Sequence, residues 1–276
     1  MDGTGVWSLC LSIATPTGRL SGASAWSLAP ATVLPLLVLA GLYAFGGRRV
    51  TREQRSAFAV GWLLLVVALV SPLCRLSASL AWAHMVQFTL LVGFAPALLA
   101  AGGLGSVVAR LVSPCGNLGR PPLGLAVTIY GLALWGWHAP PFYARAISDP
   151  VFHVLAYAAL IVVSVWFWST MVAGLREHPL AVTACWLTTV VHTGFLGALL
   201  VFSPNLLYPV MTPGALAWGW DPLEDQQLAG LIMWVPGFLP YAAAALGVFW
   251  RLLQSSEGAE SGLHGSSRRT PASTTW

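Results

Sequence analysis

The sequence predicts an all-α integral membrane protein: a bundle of seven transmembrane helices with its N-terminus outside and its C-terminus in the cytoplasm. The first observation is scarce charge, since only 8% of the 276 residues are charged and 57% are hydrophobic. A soluble domain carries about a quarter charged residues, and so few charges would leave wide apolar patches in water. The other two observations are long apolar runs, which predict the spans, and an uneven distribution of arginine, which predicts their orientation. A soluble enzyme, a nucleic-acid binder and a disordered chain are therefore disfavoured.

Seven apolar segments lack an internal Arg, Asp or Glu. Each has the length that crosses a bilayer core of about 30 Å, which takes about 20 helical residues with about 17 as the lower limit. Their apolar runs are continuous, whereas the strands of a membrane barrel alternate over about ten residues. No internal repeat indicates an inverted-repeat transporter. The predicted spans are residues 30–46, 56–72, 79–101, 122–139, 151–173, 180–202 and 226–249.

Arginine placement sets the predicted orientation. Residues 48–55 carry several arginines in the first connection between spans. With that connection inside, every one of the 13 basic residues lies on the inner side except Arg19, Arg75 and Arg145. This excess follows the positive-inside rule. The predicted organisation is an extramembrane N-terminal segment over 1–29, a membrane domain over 30–250 and a disordered, Ser- and Gly-rich cytoplasmic tail over 251–276.

The cysteines and the known catalytic motifs indicate little chemistry. Cys10, Cys74, Cys115 and Cys185 are scattered along the chain and form no C-x-x-C pair, which argues against a disulfide framework or a thiolate metal site. The H-E-x-x-H, G-x-S-x-G and P-loop patterns are missing. No span contains an Asp or Glu that could form a proton relay. We therefore expect a protein that is not an enzyme.

Four histidines on four different spans fall in the outer half of the predicted membrane. His84 lies roughly 8 Å below the outer end of the third span, and His192 roughly 15 Å below that of the sixth, at about 1.5 Å per residue. His138 closes the fourth span and His153 opens the fifth, where both could simply bond to water or headgroups. Imidazole in hydrocarbon is costly unless it is paired or binds an ion, and it is a common copper, zinc and iron ligand. All four are candidate metal ligands.

Further polar and sulfur-bearing residues accompany these histidines. Gln87 shares a helix face with His84 and can either orient an imidazole or bond across helices. Asp225 can attract a cation, orient an imidazole or stabilise the N-terminus of the seventh span. Met233 can fill core space, or its thioether can join imidazoles in a ligand set that favours Cu(I) over Zn.

Short motifs on several spans match those of one known family. The most specific is DQQLAG at 225–230 followed by Met-Trp at 233–234, and the next is WHAPPFY at 137–143. AHMVQ at 83–87, Ala-Pro at 95–96 with Gly102, and Tyr-Pro at 208–209 complete the set. With these motifs, residues from about 30 to 250 resemble the CtaG-type cytochrome c oxidase assembly factor family, which consists of seven-helix bacterial membrane proteins needed to mature haem–copper oxidases.

The resemblance implies a multi-pass assembly factor in the bacterial inner membrane that handles a copper ion. Its expected partners are haem–copper oxidase subunits, a periplasmic copper donor and the lipid bilayer, and no nucleic acid. The family pattern has further histidines where this chain has Phe88 and Tyr157. The expected metal ligands are His84, His138, His153 and His192. The residues expected around the ion or along its access path are Gln87, Asp225, Gln226, Tyr157 and Met233.

The residues leave three other functions open. The first is a metal-free scaffold that docks the oxidase through its outer loops, 138–150 and 203–225. The second is a membrane redox protein that binds a quinone or holds haem between two axial histidines. The third is a transporter, which is disfavoured because the inner halves of spans three, six and seven are nearly all apolar.

Overall fold

The computed structural model describes residues 10, 26–112 and 121–266, and within these residues the chain is helical and has no strand. This confirms the all-α prediction for the described part of the chain. The helices are α1 (Pro30–Gly46), α2 (Arg52–Val70), α3 (Pro72–Leu76), α4 (Ala81–Thr89), α5 (Ala95–Ala101), α6 (Leu104–Val112), α7 (Leu123–His138), α8 (Pro140–Ser148), α9 (Pro150–Gly174), α10 (Pro179–Phe202), α11 (Thr212–Ala217), α12 (Pro222–Trp234) and α13 (Leu239–Ser266).

Several of these helices have the length and composition of membrane spans. Helices α1 and α7 are apolar but shorter, at 17 and 16 residues. The prediction of a helical membrane protein agrees with this composition, while the count of seven spans and the orientation stay predictions. The five stretches long and apolar enough to cross a membrane are Arg52–Val70, Ala81–Ala101, Pro150–Gly174, Pro179–Phe202 and Pro222–Arg251.

Capping side chains determine where several helices begin. Helix α2 begins at Arg52, earlier than the apolar run suggests, because Thr51 and Gln54 form a reciprocal capping box. Asp149 caps α9 by accepting hydrogen bonds from two backbone N–H groups of its first turn. Prediction from apolar residues alone therefore misses the polar first turn of α2.

The predicted seventh span is divided into two helices. Helix α12 ends at Trp234, and α13 begins after one 3₁₀ turn over Pro236–Phe238. Proline lacks the N–H that would continue the α-helical ladder, so the interruption follows from the sequence. Pro222 likewise stands at the first helical position of α12, four residues before the predicted start of the span.

The two ends of the chain were predicted to lie outside the membrane domain. Residues 251–266 continue α13, although a disordered tail was expected from 251 onward. Glu257 and Ala259 have sequence propensities compatible with this continuation. Residues 267–276 lie outside the described residues, as does the predicted N-terminal segment apart from Cys10 and residues 26–29.

A π-helical turn over Leu90–Phe94 joins α4 to α5 within the third predicted span. The carbonyl oxygen of Val92, within this turn, accepts hydrogen bonds from the Tyr130 hydroxyl at 3.0 Å and from Trp168 Nε1 at 3.1 Å. An unpaired backbone group in hydrocarbon costs several kcal/mol. The two bonds remove that cost and tie the third span to α7 and α9.

Helices α10 and α12 approach each other through glycine. A Cβ atom placed on Gly230 would lie 2.8 Å from the carbonyl oxygen of Gly197 and 2.7 Å from Cβ of Leu200. Small residues allow this backbone contact, which is common between membrane helices. The contact holds α12 at Gly230 against α10.

Gly230→Ala is expected to lower the free energy of unfolding by about 1–3 kcal/mol, because the added methyl group overpacks the contact. Gly136→Ala is the matched control, since nothing lies within 4 Å of a Cβ atom at that position. The control should be neutral or more stable by up to about 1 kcal/mol, the helix-propensity gain. Denaturant unfolding in detergent measures both variants, and equal effects would contradict the proposed close approach.

Candidate functional site

Three of the four predicted histidines gather at one end of the bundle. His84 on α4 and His138 on α7 line a shared cavity with room for about one water molecule. His153 on α9 stacks against Tyr157, another wall residue, with ring centroids 4.3 Å apart. His84 is close enough to both other imidazoles to interact with them electrostatically.

Each of these imidazoles uses its Nδ1 atom for a hydrogen bond with a backbone carbonyl. Because a carbonyl oxygen only accepts, Nδ1 carries the proton and Nε2 keeps a lone pair. The Nε2 atoms of His138 and His153 are buried and have no hydrogen-bond partner. Metal-ligating histidines typically have their other nitrogen held in this way. The three bonds are His84 to Ser77 at 3.3 Å, His138 to Leu134 at 2.7 Å and His153 to Ala146 at 2.7 Å.

His192 does not line this cavity. It is half-buried on α10, and its ring lies 3.5 Å from where a Cβ atom on Gly131 of α7 would be. Both of its ring nitrogens lack a partner. Within residues 10, 26–112 and 121–266, no three His, Cys, Asp or Glu side chains are arranged to hold one metal ion. Depth along a helix therefore did not predict which imidazoles share a cavity.

Aromatic rings form much of the remaining wall. Phe88 meets His138 edge-on with centroids 4.7 Å apart, and Tyr143 meets His84 in the same way at 5.1 Å. The hydroxyl of Tyr143 is buried and unpartnered. Burial raises the pKa of Tyr143, and the neighbouring Tyr208 raises this pKa further, so the phenol keeps its proton. Sequence reasoning missed Tyr143, although the 137–143 motif contains it.

Gln87 bonds across helices, which is one of its two predicted roles, and makes no bond to an imidazole. Its Nε2 donates to the carbonyl oxygen of Ala68 on α2 at 2.7 Å and to Cys10 Sγ at 3.2 Å. Its Oε1 accepts a hydrogen bond from the Tyr157 hydroxyl at 2.6 Å. Gln87 therefore connects α2, α4 and α9 beside the cavity.

The structure corrects the expectation that the cysteines form no disulfide. Cys10 and Cys74 are bonded, with their Cα atoms 4.9 Å apart. Their separation of 64 residues gives no local signal, because pairing depends on the folded approach of two segments. Cys185 is a free cysteine, and Cys115 lies outside the described residues.

Asp225 and Gln226 position backbone segments. The Asp225 carboxylate accepts hydrogen bonds from Ala81 N at 2.8 Å and Trp82 N at 2.9 Å, so it caps the N-terminus of α4 from another helix. Gln226 Oε1 accepts from two N–H groups of residues 207–208, the closer at 2.6 Å. Among the described residues, neither side chain bonds an imidazole. The cap nevertheless lies directly before His84 in α4.

Met233 lies in the wall of a second small cavity. This cavity also holds Thr193 and Tyr241 in its wall, while Phe88 lines both cavities. Met233 therefore does not line the cavity that contains His84. A role for Met233 beside the imidazoles gains no support from this placement.

The apolar helices and their interior cavity define a class, a helical membrane protein with buried imidazole and phenol groups. Within that class, residues 36–255 match the family described as cytochrome c oxidase caa3 assembly factor, Caa3_CtaG. The chain belongs to this family, which confirms the resemblance in the motifs. No curated protein matches the chain, and no solved structure matches it.

Tyr157→Phe is expected to lower the free energy of unfolding by about 1–3 kcal/mol, because Gln87 Oε1 loses its donor while staying buried. Tyr143→Phe removes a hydroxyl that has no partner, so it should be neutral or slightly stabilising. Denaturant unfolding of both variants in the same detergent gives the comparison. A larger loss in Tyr143→Phe would contradict the assigned hydrogen bonds.

Asp225→Ala is expected to destabilise the protein by about 1–3 kcal/mol or more, because two helix-terminal N–H groups lose their acceptor. Amide hydrogen exchange at Ala81 and Trp82 should accelerate in this variant. The exposed neighbour Glu224 supplies the control, and Glu224→Ala should change stability by no more than about 0.5 kcal/mol. Unchanged exchange at Ala81 and Trp82 would refute the cap.

Proposed function

We propose that this protein is a non-catalytic assembly factor for a haem–copper cytochrome c oxidase, and that it holds copper transiently on His84, His138 and His153. Family membership supports the assembly role. One observation carries the copper role: the buried, unpartnered Nε2 atoms of His138 and His153 beside an interior cavity. Their Nδ1 protons are held by backbone carbonyls, so both lone pairs are available to a metal ion.

The proposed cargo suits a site with few ligands. Structural zinc sites take four ligands in tetrahedral geometry. The described residues offer no group of even three His, Cys, Asp or Glu side chains around one point. A copper ion that bonds only one or two of the three imidazoles at a time would be held loosely enough to leave. Transfer would proceed by ligand exchange, from a copper donor to the imidazoles and then to an oxidase subunit.

We place the cavity on the periplasmic side of the bacterial inner membrane. The excess of arginine at the opposite end supports this orientation. The Cys10–Cys74 disulfide supports it as well, because Cys74 precedes α4 at the cavity end and disulfides persist in oxidising compartments. A periplasmic copper donor and the oxidase would then reach the same face.

The triple variant His84→Ala, His138→Ala, His153→Ala tests the copper role. Copper affinity of the purified protein should fall at least about tenfold, since loss of supporting groups alone typically costs that much. Oxidase activity should fall in membranes of a deletion strain that expresses the variant. His178→Ala is the control, because His178 is exposed at the other end of the bundle. Wild-type copper binding in the triple variant would refute these ligands.

A metal-free scaffold is the second candidate function. The absence of a three-ligand group among the described residues favours it, as do Phe88 and Tyr157 at positions where family members are expected to have histidine. In this case the triple variant would assemble the oxidase fully. The haem or quinone alternative gains no support, because each of the two cavities has room for about one water molecule and ligand sites are far larger.

A further inference from the structure

We propose that Cys10 and Cys74 form a second copper site under redox control. As a dithiol the pair binds one Cu(I) ion, and closure of the disulfide releases it. The proposal rests on the copper-handling function above and adds a thiolate site beside the imidazoles. Neither the family description nor the motifs that led to it assign a role to these two cysteines.

The first support is the position of the pair beside the histidine cavity. Cys74 lies on α3, and its carbonyl oxygen accepts a hydrogen bond from the Ser77 hydroxyl at 2.8 Å. The carbonyl oxygen of Ser77 in turn bonds Nδ1 of His84. One turn of backbone therefore holds both a cysteine of the pair and an imidazole of the cavity. With Cα atoms 4.9 Å apart, Cys10 and Cys74 can both reach one ion.

The second support is a hydrogen-bond donor directed at the sulfur. Gln87 is completely buried, and its Nε2 donates to Cys10 Sγ at 3.2 Å. A disulfide sulfur is a weak acceptor, whereas a thiolate is stabilised by such a donor because hydrogen bonding to a charged form favours that form. The other end of the Gln87 amide bonds Tyr157 in the cavity wall. Gln87 thus links the sulfur by hydrogen bonds to a residue of the cavity wall.

The ligand chemistry selects a soft, monovalent ion. Thiolates favour Cu(I) among the biological metals, and zinc would need further ligands. The buried carboxylate of Asp225 is occupied by the N–H groups of Ala81 and Trp82. No third His, Cys, Asp or Glu joins the pair within the described residues. Two thiolates and one Cu(I) ion carry a net charge of −1, which is smaller than that of the empty dithiolate.

The exchange of electrons and protons balances with a small-molecule or protein dithiol as the reductant. A thiolate of the reductant attacks one sulfur of the disulfide, its second thiol resolves the mixed disulfide, and Cys10 and Cys74 leave as thiols. Cu(I) then displaces two protons and bonds both sulfurs. In the reverse direction an external disulfide takes two electrons from the thiolates. Two protons pass to the departing thiols, and Cu(I) is released without a change in its own oxidation state.

The test is a Cu(I) titration of the full-length protein in detergent, without oxygen and against a chromogenic chelator. The oxidised protein is compared with protein reduced by dithiothreitol and then desalted. Reduction should add about one Cu(I) per chain, as expected for one two-thiolate site. Oxidised glutathione should expel that same equivalent. Equal copper binding by the oxidised and reduced proteins would overturn the proposal.

Cysteine variants show which residues bind the Cu(I) ion that is added on reduction. Cys10→Ser and Cys74→Ser should lose it, and the free Cys185 provides the matched control, because Cys185→Ser should keep it. Retention of the added copper in Cys10→Ser and Cys74→Ser would overturn the assignment. The comparison of redox forms needs no substitution, so a misfolded variant would not prevent a decision.

The same titration separates this proposal from the histidine site. If the oxidised wild type binds copper and reduction adds none, the cysteine proposal fails while the proposed function stands. If only the reduced form binds copper, the imidazole site fails and the cysteine site stands. The reduced triple histidine variant should still bind the thiolate-held equivalent, and loss of that equivalent would count against an independent cysteine site.

Discussion

Polar groups inside an apolar bundle have no water to bond with, so each one depends on a partner from another part of the chain. The N-terminus of α4 illustrates this dependence, because its first N–H groups bond the carboxylate of Asp225 on α12. Gln87 then fastens the middle of α4 to α2 and α9. The bonds that satisfy buried groups are therefore the same bonds that place His84 relative to the other two imidazoles.

The cavity shows the reverse situation, in which some polar atoms are left without partners. His138 and His153 each donate from Nδ1 to a carbonyl oxygen, and Nε2 of each has no partner. The Tyr143 hydroxyl is in the same condition. An unpaired buried polar atom is expensive. A bound ion or molecule at the cavity would remove this cost. The ring nitrogens of His192 are also unpartnered, but His192 does not line the cavity, so the proposed site does not include it.

The apolar runs predicted the helices well, because burial in lipid requires long segments without charge, and Pro236 accounts for the break between α12 and α13. Helix rotation could not be predicted. His192 lies in the predicted outer half of its span, but its ring lies beside Gly131 of α7 and does not line the cavity. The role of Asp225 as a cap for a different helix, and the pairing of Cys10 with Cys74, likewise depend on contacts between segments far apart in sequence. Local pattern carries no information about such contacts.

The π-helical turn over Leu90–Phe94 affects the order in which contacts between helices form during synthesis. The Val92 carbonyl receives its two donors from Tyr130 and Trp168, both of which leave the ribosome later. Until the segment containing Trp168 has entered the bilayer, the third helix carries an incompletely bonded acceptor at mid-span. Lateral docking of α9 then completes it. The interior hydrogen bonds of this protein are therefore complete only after more than half of the polypeptide has been translated.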